Sequence, residues 1–233
     1  MLDEKAPSSY AAHLSQHEGY AKSYDLAQLP AGASVIGLYT PTKKSGEKYT
    51  NHSSIAGSEA IEAVCLSDID ALTFELLSSL PNLKYLKITN SRQEVFPCLA
   101  PLKSLEVLIL ASLTRVKDFS FFCSLSSLKT LYIDNLPHLV DLEPITALQN
   151  LEELSLHHGM MSGTGTPAKS LEPLAKMKNL HYLRFSLNVE KKNYDITPLL
   201  GLKKLKRLYM LPRFLKDGRG KQLLESLPLL EKL

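Results

Sequence analysis

The feature that most constrains the fold of this 233-residue chain is an apolar pattern that returns about every two dozen residues. Each copy has an apolar residue, two intervening residues, a second apolar residue, one intervening residue and a third apolar residue. The seven copies are Ile61/Val64/Leu66, Leu83/Leu86/Ile88, Leu105/Leu108/Leu110, Leu128/Leu131/Ile133, Leu151/Leu154/Leu156, Leu180/Leu183/Phe185 and Leu205/Leu208/Met210. Their first positions are 22, 22, 23, 23, 29 and 25 residues apart, which is typical of stacked repeats.

The spacing within each copy indicates a short strand. Its last two apolar positions are two residues apart, and residues two apart in a strand share one face, so both are predicted to point inward. Other apolar pairs are predicted to line the opposite wall of the same interior: Leu99/Leu102, Phe122/Leu125, Ile145/Leu148, Leu174/Met177 and Leu199/Leu202. One turn cannot bury its own apolar edge, whereas stacked turns share a core, so the pattern predicts a solenoid.

Three segments, DLEPITALQNLEELSL, SLEPLAKMKNLHYLRF and DITPLLGLKKLKRLYM, resemble the leucine-rich-repeat family. They are most similar to its short-repeat branch, with internalin-like or phosphatase-regulator-like repeats, and the resemblance covers about residues 59–233. It implies an α/β solenoid, a horseshoe or arc with a parallel concave sheet of about 7 to 9 short strands and an N-terminal helical cap. Members of the family bind many unrelated partners, so the fold alone does not specify the function.

The sequence departs from the family in one respect. The family usually places Asn or Cys three residues after the last strand leucine, where the side chain satisfies backbone groups of the turn. Here those positions hold Ile69, Ser91, Leu113, Leu136, Gly159, Asn188 and Arg213. Because Asn188 alone fits, we expect this hydrogen-bonding ladder to be largely absent and the turn to be apolar and less uniform.

Residues 1–58 lack the repeat and are predicted to form a cap on the solenoid of residues 59–233. Helix-compatible spacing is found at Tyr10, Leu14, His17, Tyr20, Ala21 and Tyr24. Pro30 and Gly32 would end such a helix. The following ASVIGLYT predicts a strand in which Ile36 and Leu38 form an irregular zeroth turn.

The C-terminal end and two insertions depart from the regular period. An eighth copy begins at Leu230, and we expect the edge there to be either capped by the preceding segment or joined to another molecule, self-association included. The segments GMMSGTGTPAKS, after His158, and NVEKKNYD, after Leu187, lengthen two turns. Insertions of this kind project from a rim and often carry function, although a tolerated flexible loop is the alternative.

No set of residues predicts an enzyme site. The glycine-rich loop lacks the spacing of a phosphate-binding loop, because Pro167 and Ala168 separate Gly165 from Lys169. His157 and His158 are adjacent, so in a strand they point to opposite faces and cannot chelate one metal together. We therefore assign no catalytic, cofactor-binding or metal-binding residues. An effector or enzyme with a site in the N-terminal block and the 159–170 loop is kept as an alternative.

The cysteines and the hydropathy indicate the compartment. Three cysteines without paired spacing favour reduced thiols, and no apolar run reaches membrane-spanning length. The start, MLDEKAPSSY, has neither a basic segment nor an apolar stretch. We therefore expect a cytoplasmic protein with no membrane partner.

Cys65 falls on a strand position that is predicted to be exposed, and we interpret its thiol as a spectator, one that takes no part in chemistry.

The charge is distributed unevenly along the chain. Residues 169–233 hold 15 Lys and Arg against 6 Asp and Glu, a net charge of +9, and the remainder holds 12 against 18, a net charge of −6. This polarity favours a partner with an acidic patch. Nucleic-acid binding through the basic C-terminal end is an alternative, but the sequence has no nucleic-acid motif and no regular interleaving of aromatic and basic residues.

Strand positions that flank the inward pair are predicted to lie on the concave face. Tyr and Arg dominate the energetics of protein interfaces, and Val107 with Ile109 is predicted to form an exposed apolar patch. The alternative is that such residues simply suit strands. We assign a protein partner to Tyr85, Lys87, Val107, Ile109, Tyr132, Glu153, His157, Tyr182, Arg184, Arg207 and Tyr209.

Overall fold

A computed structural model describes residues 19–41, 46–158 and 166–231 and contains one open sheet of eight parallel strands. The strands are β1 (Val35–Leu38), β2 (Ala63–Leu66), β3 (Tyr85–Thr89), β4 (Val107–Ala111), β5 (Thr130–Asp134), β6 (Glu153–His157), β7 (Tyr182–Ser186) and β8 (Arg207–Met210). They lie side by side in chain order. The predicted solenoid arc is therefore confirmed, with a strand count inside the expected range.

The inward positions of successive copies stand in register across the sheet. Leu108 pairs with Leu86 on one side and with Leu131 on the other, and Leu154 pairs with Leu183 farther along. All five side chains are excluded from solvent. Each of these leucines thus packs against its counterpart in a neighbouring turn, as the shared core of a solenoid requires.

Short 3-10 helices form most of the wall opposite the sheet. Those that line this wall between β4 and β8 are Ser120–Ser124, Glu143–Ala147, Glu172–Lys176 and Thr197–Leu199. Three of them have proline in the first turn, where its fixed φ suits a helix start and its missing N–H is not needed. All ten apolar residues predicted for this wall are buried in the main core, which confirms their assignment.

The remaining helices are few. Within the described ranges the α-helices are α1 (Ala71–Ser79) and α2 (Arg219–Ser226). Further 3-10 helices lie at Leu26–Gln28, His52–Ser54, Glu190–Lys192 and Pro212–Phe214. Among the residues described, no helix is both long and apolar enough to cross a membrane.

The turns after β2, β4 and β5 are apolar, as the sequence predicted, whereas Ser91 after β3 donates to Asp68 Oδ1 over 2.6 Å. Ile69, Leu113 and Leu136 occupy the positions where the family usually has Asn, and all three are buried in the main core. The residues just before Leu113 and Leu136 are Ser112 and Asn135, and they adopt positive φ of 56° and 60°, a conformation that Asn tolerates better than most residues. The chain therefore bends through a left-handed residue and then buries an apolar side chain.

A different hydrogen-bonding ladder lies at the other end of the strands. The residue just before the first apolar position of a copy donates from its side chain to a backbone carbonyl of the previous turn. The bonds are Asn82 to Glu59 (2.8 Å), Ser104 to Pro81 (2.8 Å), Ser127 to Lys103 (2.6 Å), Asn150 to Ser126 (2.8 Å) and Asn179 to Gln149 (2.9 Å). Sequence analysis missed this ladder, although Asn and Ser recur there at the repeat spacing.

The N-terminal block differs from the predicted helix. The first part of that helix falls on residues 1–18, outside the described residues, and the prediction is wrong for Ala21 and Tyr24. Ala21 forms a parallel bridge with Ile36, through bonds of 2.9 Å from Ala21 N to the Val35 carbonyl and from Gly37 N to the Ala21 carbonyl. The backbone of β1 thus binds this segment in extended form. The zeroth turn is confirmed, because Ile36 and Leu38 lie in the main core.

At the other end, the last described turn contributes to the core. Helix α2 places Leu223 and Leu227 in the main core, and Glu231 N donates to the Lys206 carbonyl over 2.8 Å. These contacts support capping by the chain itself. Self-association through this edge stays a prediction, as does the boundary at residue 58.

Replacing Leu113 by Asn, the residue that the family favours there, should destabilise this protein. The change removes a fully buried leucine and places an amide in an apolar turn, so we expect a loss of about 2 to 4 kcal/mol of unfolding free energy. Leu113→Met is the volume-matched control and should cost less than about 1.5 kcal/mol. Urea unfolding of the three proteins checks this, and an L113N variant as stable as the parent would contradict it.

Candidate binding surface

The outward strand positions form three rows across the sheet, which together we term the concave face. The first row runs Val35, Ala63, Tyr85, Val107, Thr130, Glu153, Tyr182, Arg207. The middle row runs Gly37, Cys65, Lys87, Ile109, Tyr132, Ser155, Arg184, Tyr209. The third row runs Thr89, Ala111, Asp134, His157, Ser186. The register thus brings all eleven sequence-predicted site residues onto one face.

Most of the concave face is not in contact with solvent. The exposed fraction is 3% for Val107 and 1% for Ile109, so the prediction that they form an exposed apolar patch is wrong. Tyr85, Tyr132 and Tyr182 are 5%, 8% and 1% exposed. The physical reason is that other atoms of the same chain exclude water from this face. Several charged or polar members remain partly exposed, namely Lys87, Glu153, Arg184, Arg207 and Tyr209.

The half of the face on β2 to β5 is apolar. Ala63, Cys65, Tyr85, Val107, Ile109 and Tyr132 form a cluster of their own, with Val35 and Tyr39 packed against it. The sheet separates this cluster from the main core. Strands that are apolar on both faces are typical of sheets covered on both sides.

The N-terminal edge of the face is closed by aromatic rings. The Tyr20 ring lies on Gly37, where an added Cβ would stand 2.2 Å from Tyr20 Cδ2. Only glycine therefore permits this approach. The rings of Tyr20 and Tyr39 are 5.2 Å apart, and the Tyr49 hydroxyl donates to the Tyr39 carbonyl over 3.1 Å. The chain at residue 20 thus lies on the concave side of the sheet.

Cys65 illustrates the environment of the apolar half. Its side chain is buried, so the predicted exposure of this position is wrong. Burial raises the pKa of the Cys65 thiol, because it disfavours the thiolate, and this outweighs the opposing influence of Lys87. A thiol that is both covered and protonated is a poor nucleophile, which agrees with its interpretation as a spectator.

The half of the face on β5 to β8 is polar and carries a hydrogen-bonded network. The Tyr132 hydroxyl and His157 Nε2 are hydrogen-bonded, and His157 Nδ1 lies 3.5 Å from Asp134 Oδ1. Thr130 Oγ1 donates to Glu153 Oε2 over 3.1 Å. These contacts fix the His157 ring on the concave face. A network of this kind can orient donors and acceptors for a ligand.

The C-terminal end of the face combines aromatic and basic side chains. The Arg207 guanidinium carbon lies 5.1 Å from the centroid of the Tyr182 ring, within range of a cation–π contact. The rings of Tyr182 and Tyr209 are 5.9 Å apart. Arg184 lies in the middle row, where its neighbours are Ser155 on β6 and Tyr209 on β8. This end therefore presents positive charge on an aromatic support.

The histidines and acidic residues of the described ranges do not gather into one cluster. They contain no group of three or more His, Cys, Asp or Glu that could hold a metal ion. His158 does not join His157, since its Nε2 contacts the Thr166 carbonyl at 3.0 Å. Residues 159–165 of the long loop lie outside the described residues. After this loop, Ala168 contacts the solenoid through a parallel β-bridge with Val189.

The basic C-terminal residues lie on several elements, from the turn before β8 to helix α2. Several are held by neighbouring groups, as in the bonds of Lys203 to the Ser226 carbonyl (2.7 Å), Lys204 to Asn179 (2.8 Å), Arg213 to Asn188 (2.6 Å) and Arg219 to the Phe214 carbonyl (3.1 Å). Arg207, by contrast, lies on the concave face. These bonds spread the basic side chains along several turns.

Comparison with solved structures identifies the fold. An internalin, inlF, from Listeria monocytogenes superposes with a TM-score of 0.54 at 20% identity, over 79% of this chain and 56% of that chain. The TLR13 chain of a TLR13–ssRNA13 complex gives a TM-score of 0.51 at 23% identity, over 79% of this chain and 26% of that chain. Internalin C2 from the same Listeria species gives a TM-score of 0.48 at 21% identity, over 75% of this chain and 72% of that chain.

The sequence itself matches no family model and no curated protein. This chain spans about half of the internalin inlF chain and about a quarter of the TLR13 chain. These similarities concern architecture, and they confirm the resemblance drawn from the repeats. The protein has the leucine-rich-repeat fold with internalin-like repeats.

The three cysteines should differ in reactivity towards iodoacetamide. Cys98 and Cys123 are exposed, whereas Cys65 is buried and its pKa is raised. We expect alkylation of Cys65 at pH 8 to be slower by about tenfold or more, because both accessibility and thiolate fraction are reduced. Peptide mass spectrometry of timed samples measures the three rates, and the urea-unfolded chain serves as the control. Equal rates in the native protein would contradict the described burial.

Proposed function

We propose that this protein is a binding scaffold that holds a polypeptide partner on its concave face. The single observation that carries the proposal is the second apolar cluster, centred on Val107, Ile109 and Tyr132. The solenoid already has a continuous core on the other side of the sheet, so stacking of the turns does not require this cluster. These side chains are nearly buried, so a partner would first meet the partly exposed Arg184, Arg207 and Tyr209 of the same face. Arginine and tyrosine are residue types that interfaces depend on.

The charge of the same face supports an acidic partner. Lys87, Arg184 and Arg207 lie in the first and middle rows and are partly exposed. Arg184 and Arg207 stand beside Tyr182 and Tyr209, so a carboxylate bound there would meet guanidinium groups on an aromatic support. The partner that fits is a polypeptide with apolar side chains at one end and acidic side chains at the other.

The alternatives are less well supported. The TLR13 chain was solved with a single-stranded RNA, but the basic residues of this chain are spread and several are bound by its own backbone and amide groups. An enzyme would need a cluster of reactive groups, and the described residues offer none that could hold a metal.

Three free cysteines agree with a reducing compartment, so we place the protein in the cytoplasm as part of the proposal.

The pair Arg184→Glu and Arg207→Glu should weaken partner binding by about 30-fold or more, equivalent to about 2 kcal/mol, because it reverses the charge that meets the acidic side chains. The matched control, Lys178→Glu with Lys216→Glu, makes the same change in net charge on two exposed side chains outside the concave rows. Affinity purification from the native cell with mass spectrometry identifies the partner, and titration calorimetry measures Kd.

A third variant, Tyr209→Ala, guards against misfolding of the double variant, since Tyr209 is only partly buried. It should weaken binding by about tenfold, the loss of one anchor. Thermal unfolding monitored by circular dichroism establishes that each protein is folded. A partner that binds R184E/R207E and Y209A as tightly as the parent would overturn the proposal.

A further inference from the structure

The last described turn has the sequence of an internal turn. Residues 76–86 read LLSSLPNLKYL and residues 223–233 read LLESLPLLEKL, so seven of the eleven positions are identical. The backbones correspond as well, because the N–H groups of Leu83 and Leu230 each donate to the carbonyl three residues earlier. The C-terminal end of the solenoid is therefore built from the residue types of an interior turn.

Corresponding leucines of these two segments differ in exposure. Leu77 on α1 is fully buried in the main core, whereas its counterpart Leu224 on α2 is 50% exposed. Turns lie on both sides of α1, but among the described residues no turn follows that of α2. A leucine of the inward-facing type is thus half exposed at this end.

Leu229 extends the same apolar surface. Its counterpart is Asn82, whose side chain donates to the Glu59 carbonyl over 2.8 Å in the hydrogen-bonding ladder. Leu229 has no side-chain donor and is 49% exposed. The solenoid therefore presents apolar surface where a terminal turn needs a polar one.

We propose that the surface of Leu224 and Leu229, termed here the C-terminal edge, binds the C-terminal edge of a second copy of the chain to form a two-fold dimer. Within the solenoid, an edge of this kind is covered by the apolar edge of the next turn. An exposed edge therefore fits another repeat turn, and a second copy supplies one with the same residues.

The opposite end of the solenoid does not offer a comparable edge. The outer side of β1 is bonded to Ala21, through Ala21 N to the Val35 carbonyl and Gly37 N to the Ala21 carbonyl, each 2.9 Å. A head-to-tail contact would have to displace this segment. A contact between two C-terminal edges leaves it in place, and it closes at the dimer because each copy has one such edge.

The charge of the last turn permits two copies to meet. Residues 169–233 have a net charge of +9, but residues 216–231 hold three basic and three acidic side chains. On α2, Lys221 Nζ lies 3.6 Å from Glu225 Oε1. Antiparallel α2 helices across the two-fold axis would bring Lys221 of each copy towards Glu225 of the other. The edge is therefore complementary to itself in charge as well as in apolar character.

Sedimentation velocity of the full chain tests the inference. A contact through one turn is smaller than a standard interface, so we expect reversible association between about 1 and 100 µM, reaching twice the monomer mass of 25.9 kDa. Leu224→Glu with Leu229→Asn should weaken the dimer by about 30-fold or more, because each change acts on both sides of the contact. Parent protein that stays monomeric at about 100 µM would overturn the inference.

The matched control is Leu72→Glu with Val95→Asn. Leu72 and Val95 are 58% and 62% exposed and lie in other turns, so this variant should dimerise like the parent. Circular dichroism establishes that each variant is folded, and Leu229→Asn alone, which restores the residue type of Asn82, should weaken the dimer by about fivefold. Equal dimerisation of L224E/L229N and the parent, or equal weakening by the control, would overturn the inference.

A thiol at position 224 locates the contact. The reporter protein carries Leu224→Cys, with Cys98→Ser and Cys123→Ser to remove the exposed thiols. Its alkylation rate should fall about fivefold or more as the dimer forms, whereas a Leu72→Cys reporter should react at one rate throughout. Leu229→Cys is the second reporter. Rates at 224 and 229 that do not change while the protein dimerises would assign the contact to another surface and reject the C-terminal edge.

Discussion

The structure depends on the sharing of apolar side chains between successive turns. Each inner leucine, such as Leu131, packs against its counterparts in the turns before and after, so no turn can keep its core without its neighbours. This sharing requires the strands to stand in register. Register in turn arranges the outward side chains in straight rows, and these rows form the concave face.

The concave face departs from what stacking alone requires. On β2 to β5 it carries a cluster of tyrosine and aliphatic side chains that is separate from the core. On β5 to β8 it carries His157, which is hydrogen-bonded to Tyr132 and lies near Asp134, and Arg207, which lies over the Tyr182 ring. The two halves offer contact area and charge, respectively.

The repeat pattern was sufficient to predict the sheet and the residues of each face, because strand alternation and in-register stacking are both set by local spacing. Burial of the concave face could not be predicted, since a period of two residues does not tell a covered face from an open one. The extended conformation of Ala21 was missed for a related reason: the open edge of β1 outweighs local helix spacing. The Asn82 to Asn179 ladder was missed because hydrogen bonds were sought only at the position that the family uses.

The central claim is that the sheet has a second, water-excluded apolar surface on its concave side. Hydroxyl-radical footprinting of the native protein, with tyrosine oxidation read by mass spectrometry, tests it most directly. The account predicts slow oxidation of Tyr85, Tyr132 and Tyr182 and fast oxidation of Tyr20, whose side chain is 44% exposed. Oxidation of the three concave tyrosines at the rate of Tyr20 would contradict it.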